Sequence, residues 1–323
     1  MAVYTHLGAE ALARLIAEFD VGALRSAKGI AEGISNSNWL VDTAGRDGRG
    51  ERFILTMYEQ RTEVSELPFF LGLMDHLSAH GCPVPATIHD RQGQAFRTVE
   101  GKAVALIEFL PGVSVSEPTA AQARAVGSAL ARIHLAGGDF AMQRANTLAL
   151  PGWRELIDGC GAGGLAAIDP ALAGLVAGEL AELEAGWPRG LPAGVIHADL
   201  FPDNVLMLGD EVTGLIDFYF ACTDLYAYDV AVTHAAWCFD ATGTRFEPEL
   251  SAALLDGYQA TRPLGPAERA ALPLLARGAA MRFLATRAYD WLHTPADALV
   301  TRKDPMAFAR RLQFYRQSPG IFA

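Results

Sequence analysis

Asp199, Asn204 and Asp217 stand in the order and spacing that a phosphoryl-transfer site requires. The run His197-Ala-Asp-Leu-Phe-Pro-Asp-Asn204 is followed, thirteen residues after the asparagine, by Ile216-Asp217-Phe218. A carboxylate at Asp199 can accept the proton of an attacking hydroxyl, while Asn204 and Asp217 can hold magnesium against nucleotide phosphates. Magnesium favours such a hard oxygen site with few carboxylates, because phosphate completes its shell. His-x-Asp by itself is a common solvated turn. Its combination with an Asn five residues after the Asp and an apolar-flanked Asp-Phe further on selects the chemical reading. His197 is read as the residue that organises the loop by hydrogen bonding, not as an acid or base.

Three short apolar segments must position these groups. Val195-Ile196 and Val205-Leu-Met-Leu208 bracket the polar octapeptide and predict buried strands. Gly209-Asp210 predicts a hairpin turn, and Gly214-Leu-Ile-Asp217-Phe a third strand whose end carries the second Asp. Strand, loop, strand, turn and strand would bring three oxygen ligands to one edge.

The flanking sequence divides into two patterns. Leu12, Leu15, Ile16 and Phe19 recur at helical spacing over residues 9–20. Strands are predicted on both sides of a polar turn between Lys28 and Val41, over Arg52–Tyr58, around Gln94–Val99 and over Ala103–Phe109, with an exposed hairpin at 44–51. Leu67, Phe70, Leu71, Met74 and Leu77 mark a helix, with Pro68 near its start and Gly81 past its end. After the turn-rich Leu110-Pro-Gly-Val-Ser, helical patterns dominate, at about 119–136, 170–186, 247–259, 266–292 and 305–316. The expected fold is α+β, with a small antiparallel-sheet lobe over 1–109 and a larger, mainly helical lobe over 110–323.

At 323 residues and 51% hydrophobic, the chain can bury the cores of two packed lobes. A net charge of -11 argues against nucleic-acid binding and against docking on an anionic membrane. Four cysteines without C-x-x-C spacing indicate a reducing cytoplasm, and the first residues show neither a basic nor an apolar leader region. Apolar runs stop short of membrane-spanning length; Ala276–Ala288 is broken by Arg277, Arg282 and Arg287. Oligomeric state is not legible.

The combined pattern resembles the aminoglycoside phosphotransferase and choline kinase superfamily, relatives of the protein kinases, over nearly the whole chain. Within it, the chain is similar to the homoserine kinases of the kinase-like type. The stretches that carry this likeness are Lys28-Gly-Ile-Ala-Glu-Gly-Ile-Ser-Asn-Ser-Asn38, Phe53-Ile-Leu-Thr-Met-Tyr-Glu59, Leu67-Pro-Phe-Phe-Leu-Gly-Leu-Met74, Leu215-Ile-Asp-Phe-Tyr-Phe-Ala-Cys222 and Arg287-Ala-Tyr-Asp-Trp-Leu292. The resemblance implies a two-lobed protein-kinase-like fold and ATP- and magnesium-dependent phosphorylation of the L-homoserine hydroxyl, on the path to threonine. It implies Asp199 as catalytic base and Asn204 and Asp217 as metal ligands. Gly33, Ser35 and Ser37 fall at a phosphate-covering turn, where small residues let backbone N–H groups approach closely. Glu108 and Leu110 fall where backbone groups meet adenine. Choline, methylthioribose or an aminoglycoside as acceptor, and a catalytically silent nucleotide-binding scaffold, stay open as alternatives.

Two departures from the superfamily's pattern stand out. Thr56 occupies the position of the strand Lys or Arg that contacts nucleotide phosphates, so that Lys28 or Arg52 must take over the charge or backbone amides must suffice. The Glu expected on the first-lobe helix is missing as well, because Leu67–His80 contains only Asp75 among its acidic residues. For the acceptor, the candidates are Asp203, Tyr219, Asp224, Arg282, Arg287 and Asp290. A zwitterionic amino acid needs a cation for its carboxylate and an anion for its ammonium, and Arg suits carboxylate bidentately. Arg287 and Asp290 share a helix face, which is equally the spacing of an ordinary ion pair. Asp229, His134 and Trp237 are read as structural, with Asp229 tying the segment after Asp217 to the core.

Overall fold

The computed structural model describes residues 7–30, 36–45, 49–59, 63–295 and 302–322. Contacts cluster into two units: the described residues up to Gly112 together with Thr213–Tyr219, and Val113–Val212 together with the described residues from Phe220 onward.

In the first unit, α1 (Ala9–Ile16) precedes β1 (Ala23–Ile30), β2 (Asn36–Ala44) and β3 (Gly50–Tyr58). Then come α2 (Leu67–Ala79), β4 (Thr87–Ile88), β5 (Arg97–Val99) and β6 (Lys102–Glu108). The strands form one antiparallel sheet in the order β1-β2-β3-β6-β4, with β5 paired to β6. Side chains alternate across a strand. One face, carrying Trp39, Val41, Phe53, Leu55, Met57, Val104 and Leu106, is buried in a common core with Leu12, Leu15 and Ile16 of α1. The register pairs Lys28 with Leu40 and Leu40 with Ile54, which puts Lys28, Leu40, Ile54 and Thr56 together on the opposite face. Helix α2 is held to β4 by Asp75, whose carboxylate accepts the Thr87 N–H at 2.7 Å and meets His89 Nε2 at 2.7 Å.

The second unit begins with α3 (Ala120–Ala136), capped by a reciprocal Thr119–Gln122 box that satisfies two orphan N–H groups. Next are α4 (Leu150–Ile168), α5 (Leu172–Gly186), β7 (Ala193–Ile196), β8 (Val205–Leu208) and β9 (Glu211–Leu215), the last shared with the first unit. β10 (Cys222–Leu225), α6 (Tyr226–Trp237), α7 (Pro248–Thr261), α8 (Pro266–His293) and α9 (Met306–Gln317) complete it. Helices α3 and α7 approach closely because Gly127 and Gly257 face backbone: a Cβ would come within 2.1 Å of the Leu254 carbonyl oxygen and 2.0 Å of that of Arg124. Among the described residues no helix is long and apolar enough to cross a membrane, and all four cysteines are buried and unbridged.

The structure departs from the sequence expectation in three places. The motif strands do not make one three-stranded set: β7 pairs with β10, while β8 pairs with β9. The third motif strand ends at Leu215, so Asp217 lies beyond it, at φ 66°. Helices α4 and α6 went unpredicted. Eleven consecutive residues of α6, Ala227–Trp237, are buried, so the helix lacks a polar face and hence the amphipathic period. In α4 the glycines dilute the pattern, and Gly161, at φ 64° and ψ 160°, breaks the helical path.

Candidate active site

Asp199 lies on the loop after β7, and that loop is tethered at nearly every residue. Asp229, fully buried on α6, accepts the His197 N–H at 2.7 Å and the Ala198 N–H at 2.8 Å. It meets His134 Nε2 at 3.0 Å, and His134 Nδ1 meets the Tyr258 hydroxyl at 2.8 Å. Burial pushes the Asp229 pKa up, but the hydrogen bonds from His134 and from the His197 N–H outweigh it and hold the carboxyl below its usual range. Burial lowers His134 in turn, against the pull of Asp229. An ionised Asp229 therefore faces a neutral imidazole. His197 Nδ1 accepts the Asp199 N–H at 3.2 Å, and Trp237 Nε1 donates to the Leu200 carbonyl at 2.9 Å. His134 and Trp237 are structural, as expected. Asp229 is structural too, but it grips the residues before Asp199, not those after Asp217.

The two oxygens of Asp199 have different neighbours. Asn204 Nδ2 donates to the Asp199 backbone carbonyl at 2.7 Å and lies 3.3 Å from Oδ2. Arg282 Nη2 lies 3.8 Å from Oδ1. Because the amide nitrogen of Asn204 is turned inward, its carbonyl oxygen is left as a hard donor. That is the atom a magnesium-type cation selects. Asp217 is exposed in the first unit, its left-handed backbone holding the carboxylate just past the strand end. Each taken by itself, an amide oxygen and an exposed carboxylate are the hard donors that a divalent metal accepts.

On the first-unit sheet, Thr56 is buried and donates to Asn38 Oδ1 at 2.8 Å. Ser37 faces the core side; its hydroxyl donates to Glu59 Oε1 at 2.8 Å, and Glu59 also pairs with Lys102. Gly33 and Ser35 lie outside the described residues. Glu108 is committed to Ala86: its N–H donates to the Ala86 carbonyl at 2.9 Å and its carboxylate accepts the Ala86 N–H at 3.1 Å. Leu110 follows in extended chain, and its N–H makes no backbone hydrogen bond among the described residues. Arg52 is occupied by Asp42 at 3.1 Å and by the Phe109 ring, 5.8 Å from its centroid. Lys28 is exposed, without an ion pair among the described residues, and shares the Thr56 face. Asp75, bonded to Thr87 and His89, does not stand in for the absent helix Glu.

The acceptor candidates differ sharply in setting. Tyr219 is packed edge-on against Tyr58 and Phe70 and shares a 2.8 Å hydrogen bond with the Tyr58 hydroxyl. Burial raises its pKa, so it stays a neutral phenol. Asp224 accepts the Asn146 amide at 2.7 Å and its neighbour's Leu225 N–H, also at 2.7 Å. Asp203 is exposed, with Lys303 at 3.6 Å. Arg287 lies over the Phe308 ring at 4.5 Å and, among the described residues, donates to a backbone carbonyl, that of Asp304, at 3.3 Å. Burial first, then Arg311, brings its pKa down to about 10, while Asp304, Asp199 and Asp203 act in the opposite sense. It remains a cation at neutral pH, partly desolvated and without a carboxylate partner among the described residues. Asp290 is exposed and does not pair with Arg287. Nothing in local sequence pattern flagged the contact of Arg282 with the Asp199 loop or that of Lys303 with Asp203, because both join segments far apart in the chain.

Comparison with known proteins places the chain in a family. A family model described as the phosphotransferase enzyme family matches residues 26–272. A homoserine kinase of Xanthobacter autotrophicus is 52% identical over 98% of this chain and 96% of its own. One of Methylobacterium radiotolerans is 52% identical over 98% of this chain and 97% of its own. Among solved structures, an amicoumacin kinase in complex with AMP-PNP and Ca2+ aligns with a TM-score of 0.71 at 16% identity, covering 97% of this chain and 94% of that one. A microcompartment-associated aminopropanol kinase aligns with a TM-score of 0.67 at 20% identity, covering 98% of each chain. These two likenesses show the fold, a kinase-like α+β architecture. With more than half its length matched by the family model and half its residues shared with full-length relatives, the chain belongs to the phosphotransferase enzyme family, among its homoserine kinases.

Proposed function

We propose that this chain transfers the γ-phosphoryl group of ATP to the side-chain hydroxyl of L-homoserine, giving O-phospho-L-homoserine on the route to threonine. The observation that carries the reading is the 52% identity to a homoserine kinase over 98% of the chain, in a sequence that places Asp199, Asn204 and Asp217 in the kinase order. Asp199 takes the hydroxyl proton as the homoserine oxygen bonds to the γ-phosphorus, and the bond to the bridging oxygen breaks to release ADP. Asn204 and Asp217 would hold magnesium, which offsets the charge on the phosphate oxygens. Lys28 supplies the charge that Thr56 lacks, since Arg52 is committed to Asp42. Backbone groups of Gly33, Ser35 and Ser37 cover the phosphates, and those of Glu108 and Leu110 meet adenine. Arg287 binds the acceptor carboxylate, because it is a desolvated cation on which the charges of Asp199 and Asp203 act. Asp203 then offers a carboxylate to the ammonium, with Tyr219, Asp224 and Asp290 as further acceptor candidates. The four unbridged cysteines fit a reducing compartment, and we assign the enzyme to the cytoplasm.

A panel of acceptors at fixed magnesium–ATP tests this. L-homoserine should exceed choline, methylthioribose and aminoglycosides by at least about tenfold in kcat/KM. An acceptor without a carboxylate leaves the partly buried Arg287 guanidinium unmatched, which costs more than the roughly 1.4 kcal/mol that tenfold requires. Arg287→Met should raise KM for homoserine far more than KM for ATP. If choline or a sugar outruns homoserine, the acceptor is wrong and the kinase stands. If no alcohol supports ATP turnover, the scaffold reading wins.

A further inference from the structure

Arg282 is a guanidinium buried to 2% exposure in the middle of α8, and its one carboxylate neighbour among the described ion pairs is Asp199. Its Nη1 donates to the carbonyl of Ala198, the residue held at φ 64° immediately before Asp199. Its Nη2 stands 3.8 Å from Asp199 Oδ1. The plane is clasped by aromatic rings, Phe283 at 4.5 Å and Phe220 at 5.4 Å. Its Nε is buried without a hydrogen-bond partner among the described residues. Burying a charged group with an unmatched N–H is costly, so stability alone is a poor reason for a guanidinium at this point.

The loop is thus held on both sides of its backbone. Asp229 takes the N–H groups of His197 and Ala198, and Arg282 takes the Ala198 carbonyl. The positive φ at Ala198 is a strained state for a residue with a Cβ, and such states persist only where surrounding bonds over-determine them. Asn204 addresses one carboxylate oxygen of Asp199 and Arg282 the other, so the carboxylate plane is set from two directions.

We infer that Arg282 is a positioning residue for phosphoryl transfer: it locks the strained Ala198 peptide and the Asp199 carboxylate in the orientation in which that carboxylate meets the acceptor hydroxyl. It acts through Asp199 and does not touch the substrate. The inference rests on the reading of Asp199 as the base.

Steady-state kinetics of Arg282→Lys, Arg282→Met and Asp199→Asn, singly and in combination, test it on the full chain. Arg282→Met should lower kcat roughly 10- to 100-fold, with KM for ATP and for homoserine within about threefold, because loss of alignment acts on the chemical step. Arg282→Lys keeps the charge but cannot span both acceptors, and its kcat should fall between the parent and Arg282→Met. In the Asp199→Asn background, Arg282→Met should cost almost nothing further, since groups acting as a unit are non-additive. A general packing role would instead cost the same factor in both backgrounds, and that outcome overturns the inference. So does a rise in KM for homoserine with kcat unchanged, which makes Arg282 a substrate contact. Should Arg282→Met fail to fold, Arg282→Lys alone decides: an unchanged kcat overturns the proposal. Retained activity in Asp199→Asn itself sinks the base assignment, a separate failure.

Discussion

At the scale of single residues, the site is defined by what each polar atom is already bonded to. Asn204 spends its amide nitrogen on Asp199, which leaves the amide oxygen for a hard cation. Arg287 has a ring and a backbone carbonyl for neighbours and no carboxylate partner among the described residues. Asp199 is set by Asn204 on one oxygen and approached by Arg282 on the other. Replacement by Asn preserves the outline of the side chain and removes its charge together with its capacity to take a proton. Asp199→Asn should therefore lower kcat by roughly 10²–10⁴-fold, the usual contribution of a general base, with ATP binding unchanged within a few-fold. Single-turnover kinetics alongside a nucleotide titration checks this. A variant that keeps most of its activity means that the proton goes elsewhere.

At the scale of elements, sheet register bears on the cation proposed for the phosphates. Alternation makes a strand two-faced, so the face shared by Thr56, Ile54 and Leu40 can receive charge only from side chains of matching parity on neighbouring strands. Lys28, across from Leu40 on β1, satisfies this, whereas Ala27 turns to the core side and packs against the α1 cluster. Arg52 has the same parity but is bonded to Asp42. Lys28→Met should raise KM for ATP about tenfold, with KM for homoserine near its parent value and no loss of thermal stability, as the side chain is exposed. An unchanged KM for ATP would instead leave the phosphates to backbone amides and metal alone. The helices show the complementary lesson. Between α3 and α7, Gly127 and Gly257 allow backbone-to-backbone approach, and that contact is specified by two missing side chains.

At the scale of the whole molecule, buried histidines tie stability to pH. His234 hydrogen-bonds the Tyr315 hydroxyl at 2.7 Å and the Ser251 hydroxyl at 2.8 Å, and burial brings its pKa down to about 3. Burial also lowers His134. In the unfolded chain both return to an ordinary value near 6.5. Below that pH the unfolded chain binds protons that the folded protein refuses, so stability falls as pH falls. Refusal by His234 alone costs on the order of 1.4 kcal/mol at pH 5.5 relative to slightly alkaline solution. His89 has the opposite sign, because its bond to Asp75 raises its pKa, but that ring is 45% exposed and its effect is screened. Urea unfolding at pH 7.5 and 5.5 should thus show a lower midpoint at the acid end. A flat or rising midpoint across that interval contradicts the neutral state of these imidazoles.

Much of the protein is legible in its sequence, for physical reasons that are local. His197 to Asn204 carries its chemistry in consecutive residues, and α2, α3 and α8 announce themselves because half-buried helices need an apolar stripe and a start signal. The kinase-like fold and the family follow from these segments together. Tertiary structure alone decided the rest. Helix α6 is buried all round and so has no period to read. The pairing of β7 with β10, and not with the β8–β9 ribbon, depends on which backbone edges meet in space. Asp229, 30 residues beyond Asp199, holds the N–H groups before it, and Arg282 holds the carbonyl from 84 residues away along the chain from Ala198. The sequence determines which groups can do chemistry because side-chain type and near-neighbour spacing suffice for that. Which groups hold them still is a matter of long-range burial, since a desolvated carbonyl or N–H accepts whatever partner the packed chain delivers to it.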